Sequence, residues 1–242
     1  MEYYVNPNKQ LTVVAGGETF IRSAIKTHFI GVGERYLDIV RRYVLPVYQK
    51  GDVLSISEKI IALCQGRVIY RKDVRVGFWA RLLARFVLKT PAGFSVGNPL
   101  KMQVAIQLAG LPRVLFAAFC SAVTKPFGLR GVFYRVVGHD VNGLDGFYGG
   151  AYPEYEQMGI LNPAGPERVC AEIERELGVL CAIADANDLG VNILARSPGV
   201  PFSEEILCQI LRDNPAGQDN QQTPFILIRK SAVPPENKRH DQ

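Results

Sequence analysis

The chain has 242 residues, 48% of them hydrophobic, enough to bury one sizeable core, or two small cores sharing an interface, without disulfides. Its five cysteines form no CxxC pair, and no basic region followed by an apolar one opens the chain, so we expect a soluble cytoplasmic protein rather than a secreted one. The most apolar stretch, Val104–Val123, is interrupted by Pro112 and Arg113, which excludes a clear membrane span and favours buried core.

The first predicted elements are two strands and a helix. Apolar and polar residues alternate over Leu11–Ala15 and Arg22–Ile30, as in strands. Helical spacing follows from Glu34 to Tyr48, and Gly51 ends the helix. Asp52–Lys59 then indicates a buried strand. The order strand, helix, strand is typical of an α/β layer.

The middle of the chain, Gly66–Leu129, is predicted to be mainly helical. Seven Lys or Arg residues lie between Arg67 and Lys89, against Asp73 alone. This basic segment also carries apolar residues at helical spacing, namely Phe78, Trp79, Leu82, Leu83, Phe86 and Val87. It is interpreted as a core helix whose arginine stems cover apolar surface, or as a helix that meets a membrane surface, a nucleic acid or another anionic ligand.

The second half of the chain is predicted to contain further strands and two helices. The strands are Val132–Val137, Val179–Ala184, Gly190–Ala195 and Thr223–Lys230. One helix starts near Pro166 and stops at Gly178, and a second is capped by Ser203 and runs through Leu211. We expect one domain over residues 1–233, with a divergent helical middle at about 67–130, and a disordered tail over 234–242.

Two segments rich in Asp, Asn and Gly, Gly138–Gly146 and Asp185–Gly190, contain the main candidates for chemistry. Their polar residues are Asp140, Asn142, Asp145, Asp185, Asn187 and Asp188. Oxygen ligands of this kind suit Mg²⁺ or Mn²⁺, and loops just past strand ends are where α/β sheets bind ligands. The same residue types are also ordinary turn formers, so a plain structural role stays open.

Two more segments have the composition of a phosphate site. The motif SISEK, Ser55–Lys59, places two serines and a lysine on one face of the predicted strand, where they could meet a phosphate. The motif DNPAGQ, Asp213–Gln218, could offer backbone N–H groups or the Gln218 amide to a ligand. An ordinary strand and an ordinary turn are the alternatives.

Four blocks, taken in chain order, resemble the coenzyme F-420 gamma-glutamyl ligase family. They are GDVLSISEKIIALCQGR, GHDVNG, LNPAGPERVCAEIERELGVLCAIADAND and NPAGQDNQQTPFILIR. The likeness covers roughly Arg22–Gly66 and Gly131–Lys230, and the order of the blocks is more specific than any one of them.

The resemblance implies a mixed α+β fold, with a mixed β-sheet flanked by helices, and a homodimer with an extended sheet. It implies that Asp140 and Asp185 bind a divalent cation, Mg²⁺ or Mn²⁺. It also implies that GTP or another nucleotide lies near five residues, Ser57, Glu58, Lys59, Asn142 and Gln218. The partners it implies are this nucleotide and a small-molecule carboxylate, with no nucleic acid and no membrane span.

The activity implied by the resemblance is amide-bond formation, with glutamate joined to an unidentified carboxylate acceptor. In such a reaction the nucleotide's terminal phosphoryl group activates the carboxylate, and an amine then displaces phosphate. Several positions depart from the family pattern: Ala62 and Leu63 replace a Ser-Lys pair, and Gln65 replaces a Glu. In the segment from Asp185, Ala186 stands in place of a Thr, and the family's Arg is lost. These departures leave open the alternative of a non-catalytic nucleotide- or metal-binding protein that retained the ligase fold.

Overall fold

The computed structural model describes residues 3–87, 96–129, 131–138, 141, 143–147, 152–187, 190–217 and 220–231. The chain forms two compact units. Unit 1 consists of Met1–Gln65 together with Pro163–Gln242, and unit 2 is the intervening Gly66–Asn162. The predicted divergent middle begins almost where unit 2 begins, but unit 2 continues further along the chain.

The described residues form nine strands and eight α-helices. The strands are β1 Thr12–Ala15, β2 Glu18–Ile25, β3 Val53–Ser57, β4 Val68–Tyr70, β5 Asp145–Gly146, β6 Met158–Ile160, β7 Leu180–Asn187, β8 Gly190–Arg196 and β9 Phe225–Lys230. The helices are α1 Tyr36–Tyr43, α2 Glu58–Cys64, α3 Phe78–Phe86, α4 Pro99–Ala109, α5 Leu111–Thr124, α6 Val132–Val137, α7 Pro166–Leu177 and α8 Glu204–Leu211. Short 3₁₀ helices lie at Arg71–Asp73, Lys125–Phe127 and Pro153–Glu156.

Unit 1 is built on a six-stranded mixed sheet in the order β1-β2-β9-β3-β7-β8. β3 and β7 are parallel, whereas the other neighbouring strands pair antiparallel. The sheet and its flanking helices confirm the expected mixed α+β class.

The main core of unit 1 lies between the sheet and α8. The apolar side chains of α8, including Leu207 and Ile210, pack with sheet residues such as Phe20, Ile226 and Ala184. Helix α2 contacts β3 and β7, and α7 contacts β7 and β8. This packing holds the ends of β3 and β7 in place.

Unit 2 combines four helices with a small antiparallel sheet of order β4-β6-β5. Its helical core is made largely of small residues, with Ala80 and Ala84 of α3, Ala105 of α4 and Ala117 of α5 all buried. Among the described residues, no single helix is long and apolar enough to cross a membrane; one pair, Pro99–Ala109 with Leu111–Phe127, reaches that length and composition together but is bent by 116°.

Several predicted elements are confirmed where the sequence carries an explicit signal. Pro166 occupies the first turn of α7, and Gly178 ends it with φ of +67°. The Ser203 hydroxyl accepts a hydrogen bond from the Ile206 N–H at the start of α8. The predicted strand after Gly190 is β8.

Two predicted boundaries in the first third of the chain are wrong. Helix α1 ends at Tyr43 instead of Tyr48, because Pro46 lacks an N–H and its ring would collide with the preceding turn. β2 starts at Glu18, directly after Gly16 and Gly17, whose positive φ values make the tight turn from β1.

The predicted strand over Asp52–Lys59 is also too long. β3 ends at Ser57, and Lys59 lies in the first turn of α2. Ser55, Ser57 and Lys59 therefore do not share a strand face, although the two serines do.

The strand predicted at Val132–Val137 is wrong, because this segment is helix α6. Its valines favour a strand locally, but Phe133 and Val137, one helical turn apart, are both buried and α6 packs against α5. Tertiary packing thus overrides a weak local preference.

The interpretation of Val104–Val123 as buried core holds for α4 but not for much of α5. Val104, Ala105, Val114 and Ala117 are buried, whereas Phe116, Phe119 and Val123 are exposed. In the basic segment, Phe78, Trp79 and Phe86 are exposed as well. The core-helix interpretation of α3 therefore fails for these three aromatic side chains, whereas Leu83 and Val87 pack partly buried against the helical core.

Candidate functional site

Most of the predicted site residues described by the structure belong to unit 1, whereas Asp145 lies in β5 of unit 2. Ser57 is the last residue of β3, Glu58 and Lys59 begin α2, and Asp185 lies within β7. Asp140, Asn142 and Gln218 lie outside the described residues, as does Asp188. The expectation that Asp185 follows a strand is wrong, since β7 continues to Asn187.

The parallel pairing of β3 and β7 gathers three predicted segments at one edge of the sheet. Ser57 pairs with Ala184, so both strands reach this edge together. β9 runs antiparallel to β3 and begins at the same edge, where the Ser57 N–H donates to the Pro224 carbonyl at 2.9 Å. Residues 214–217 of the DNPAGQ segment, which precedes β9, are thereby brought beside Ser55 and Ser57.

A cavity of about 60 Å³ opens at this edge. It is lined by Ser55, Ser57, Ala184, Ala186, Leu211, Asn214, Pro215, Ala216, Gly217, Pro224 and Ile226. Side chains alternate along strands, so Ser55 and Ser57 of β3 lie on the same face as Ala184 and Ala186 of β7. The cavity therefore combines two serine hydroxyls with the turn at residues 214–217.

Four residues give this cavity polar groups that have no partner in the described part of the chain. The hydroxyls of Ser55 and Ser57 make no hydrogen bond there, and Ser57 does not cap α2 although it immediately precedes it. The Asn214 Oδ1 is buried and unpaired, and the Ala216 N–H is not bonded either. Of these groups, only the Asn214 Oδ1 is fully buried, whereas the two hydroxyls and the Ala216 N–H are the hydrogen-bond donors that remain for a ligand in the cavity.

The turn at residues 214–217 is held rigidly. Asn214 has φ of +49°, and its amide Nδ2 donates to the Gly217 carbonyl at 3.2 Å. Asn6 then donates to the Pro215 carbonyl at 2.8 Å and to the Thr223 hydroxyl at 2.7 Å. The Thr223 hydroxyl in turn donates to the Ala216 carbonyl at 2.8 Å. Asn6 is a residue that sequence reasoning missed, because no local pattern connects it to a turn 200 residues away.

Replacing Asn6 by Ala is expected to destabilise the protein by about 1–3 kcal/mol, because it removes two buried hydrogen bonds and leaves the Pro215 carbonyl unsatisfied. Thermal unfolding followed by circular dichroism measures this loss. Gln10→Ala is the matched control, since the Gln10 side chain is exposed in the same segment. Equal melting temperatures for the two variants would contradict a clamping role.

An ion pair between the buried Arg22 and the partly exposed Asp213 lies beside this turn. The Arg22 guanidinium bonds both carboxylate oxygens of Asp213, the Ile210 carbonyl at 2.7 Å and the Gln10 carbonyl at 2.7 Å. Burial raises the pKa of Asp213, but the hydrogen bonds and charge of Arg22 outweigh it and hold this pKa below its ordinary value. The pair anchors the start of the DNPAGQ segment to β2.

The predicted metal ligand Asp185 lies on the sheet face opposite the cavity. Ala184 and Ala186 line the cavity, and strand alternation turns Asp185 the other way. Its Oδ1 accepts from the Asn187 amide at 3.2 Å. Across the described residues, no three His, Cys, Asp or Glu side chains are grouped so as to hold a metal ion.

Comparison of the chain with protein-family models found no match, and comparison with curated proteins found none either.

Proposed function

We propose that this chain is a divergent member of the coenzyme F-420 gamma-glutamyl ligase family that binds a phosphate group of a nucleotide in the cavity at the edge of β3 and β7. One observation carries the proposal. Ser55 and Ser57 come from the first block of the resemblance and Asn214–Gly217 from the last, yet they line one cavity with unpaired polar groups.

The size and polarity of the cavity support a phosphate-sized ligand. Its volume of about 60 Å³ is far below the ~300 Å³ or more of pockets that enclose whole small molecules. A ligand group of phosphate size is the kind that this cavity would hold, and the nucleoside would then lie outside it. The Ser55 and Ser57 hydroxyls and the Ala216 N–H would donate to phosphate oxygens, which are strong acceptors.

Charge compensation for such a ligand would come from outside the cavity lining. No Lys or Arg is among the described residues that line it. A nucleotide would therefore arrive with a cation, Mg²⁺ or Mn²⁺, and the resemblance assigns this cation to Asp140 and Asp185. Because Asp185 lies on the opposite face of the sheet, such a cation would meet the nucleotide past the strand ends and not within the cavity. The contribution of Ser55, Ser57 and the turn is to position the phosphate group.

The finer features of the proposal come from the resemblance. They are glutamate ligation onto a carboxylate acceptor and a homodimer with an extended sheet. The proposed cytoplasmic location comes instead from the cysteine usage. All five cysteines are free thiols, which supports a reducing compartment.

Calorimetric titration with GTP and with ATP, each with Mg²⁺ or Mn²⁺, tests the proposal. The double variant Ser55→Ala/Ser57→Ala is expected to bind at least about tenfold more weakly, since it removes two hydrogen bonds to a charged group. Asp140→Ala and Asp185→Ala are expected to abolish metal-dependent binding. Thr12→Ala removes an exposed hydroxyl on β1 and serves as control. Unchanged titrations for all three site variants would refute the proposal.

A second candidate is the non-catalytic protein that retained the ligase fold. The specific observation is that Ala62 and Leu63, which replace the family's Ser-Lys pair, are only 0% and 1% exposed within α2. Apolar core residues there cannot bind a nucleotide. A GTP and ATP hydrolysis assay with and without glutamate and Mn²⁺ discriminates the two candidates. Nucleotide binding without turnover across a panel of carboxylate acceptors would favour the second.

A further inference from the structure

Helix α5 of unit 2 turns its largest apolar side chains to solvent. Phe116, Phe119 and Val123 follow one another at helical spacing and are 60%, 66% and 48% exposed. Phe127, just beyond the helix, is 79% exposed. The buried residues of α5 are the smaller Val114 and Ala117, on the opposite side of the helix. The larger apolar side chains of α5 therefore face solvent and the smaller ones face the core.

Helix α3 also exposes its large aromatic side chains and buries its small ones, and it carries positive charge in addition. Its buried residues are Ala80 and Ala84. Phe78 and Phe86 are 68% and 77% exposed, and Trp79 is exposed beside them. At 100° per residue, Arg81 and Arg85 fall on the same outward arc as these aromatic rings. Aromatic and cationic side chains therefore share one outward face of α3.

The charge of the chain is concentrated in unit 2. Unit 2 contains twelve Lys or Arg and five Asp or Glu residues, a formal charge of +7, whereas the rest contains 16 basic and 18 acidic residues. From residue 74 to 139 there are nine Lys or Arg residues and no Asp or Glu. Within the described residues, no carboxylate pairs with Arg75, Arg81, Arg85 or Lys125. The exposed apolar faces thus belong to a unit with a formal charge of +7, in which Arg75, Arg81, Arg85 and Lys125 make no ion pair with a described carboxylate.

We propose that the outward faces of α3 and α5 bind peripherally to an anionic lipid bilayer. Exposed Phe and Trp side chains enter the boundary between headgroups and acyl chains, while Arg and Lys remain at the lipid phosphates. This function is separate from that of the cavity in unit 1. It needs no membrane-spanning helix, because the faces lie on the bilayer.

Charge and side-chain chemistry favour a lipid surface over two other partners. A second copy of this chain would present the same +7 unit and be repelled. A nucleic acid would satisfy the arginines, but Val123 and Leu129 neither stack on bases nor form hydrogen bonds, and both are about half exposed. A bilayer accommodates the cationic and the aliphatic groups together.

Sedimentation of the full chain with vesicles tests this proposal. Strong binding is expected to vesicles of phosphatidylglycerol and phosphatidylcholine and weak binding to phosphatidylcholine alone. Binding is expected to fall as salt is raised from about 0.1 M to about 1 M, since screening shortens the range of the attraction. Absence of binding to the anionic vesicles at low salt would overturn the proposal.

Two double variants separate the electrostatic and apolar contributions. Arg81→Glu/Arg85→Glu is expected to lower the partition coefficient on anionic vesicles at least about tenfold. Phe116→Ser/Phe119→Ser is expected to lower it about tenfold as well, and to do so in high salt too. All four side chains are exposed, so melting temperatures should stay close to wild type.

The controls lie on unit 1, where Lys50→Glu/Arg212→Glu changes exposed charge equally and Val14→Ser removes an exposed apolar side chain. If these controls lowered the partition coefficient on anionic vesicles as much as the variants of α3 and α5 do, the proposal would be overturned. Analytical ultracentrifugation and oligonucleotide titration are run on the same variants. If the Phe variants alter self-association or oligonucleotide binding but leave vesicle binding unchanged, the face serves a second copy or a nucleic acid, and the lipid proposal fails.

Discussion

Gly146→Ala is expected to destabilise unit 2 by about 3 kcal/mol or more. Gly146 has φ of +86°, and a Cβ there would lie 2.1 Å from the backbone oxygen of Met158. That oxygen belongs to the paired strand β6, where Gly146 faces Gly159. Both the backbone conformation and the collision oppose a side chain, and a strand oxygen cannot move aside without breaking the pairing.

Trp79 is the single tryptophan of the chain and lies in unit 2, so its fluorescence during urea unfolding reports on this unit. Gly128→Ala is the control, because Gly128 also has positive φ, +76°, but has no atom within 4 Å of an added Cβ. That variant is expected to lose only about 1 kcal/mol. If Gly146→Ala lost no more than this control, the close approach of β5 and β6 would be disproved.

Asp213→Asn is expected to destabilise unit 1 by about 3 kcal/mol at neutral pH. The Arg22 side chain is 1% exposed, so the variant leaves a buried guanidinium without its counter-charge. Asp213 itself is 43% exposed, and for this reason the cost arises mainly from the arginine. Circular dichroism during urea unfolding measures the difference from wild type.

The pH dependence of this difference has a definite sign. Burial raises the pKa of Asp213, but Arg22 outweighs this effect and lowers that pKa below its ordinary value. The Asp213 carboxylate therefore stabilises the folded state at pH values above its pKa in the unfolded chain. This stabilisation is lost as the pH falls through its pKa in the folded protein. The free energies of unfolding of wild type and Asp213→Asn are thus expected to approach each other as the pH falls below about 4. Asp38→Asn, which removes an exposed ion pair with Arg41, should cost less than about 1 kcal/mol at any pH. If the difference in free energy of unfolding between wild type and Asp213→Asn did not change with pH, the stabilising role of the Arg22–Asp213 ion pair would be contradicted.

The sequence predicted those elements whose ends are marked by residues with a local physical role. Pro166, Gly178 and Ser203 act within a single turn, so their effects are readable without the fold. Helix α6 was missed because its valines respond to packing against α5, which is not encoded locally. The exposed face of α5 was missed because apolar residues cover most of its circumference, so periodicity does not show which side is buried.

The candidate site was predictable in its parts but not in its assembly. Serines at alternate positions and an Asn-Pro-Ala-Gly turn each indicated a ligand weakly. Only strand register shows that Ser57 lies opposite Ala184, on the cavity face, and that Asp185 lies on the other. Asn6 and Thr223, which fix the turn, carry no local signal because their partners are distant in the chain.

The chain leaves unit 1 and returns to it at one point. The Gln65 side chain donates to the Ala164 carbonyl at 2.8 Å and accepts from the Ala164 N–H at 2.7 Å, which ties the two crossings together. All six strands of the large sheet lie outside residues 66–162. Deletion of residues 66–162 at this junction would therefore leave the strand order of the large sheet unchanged.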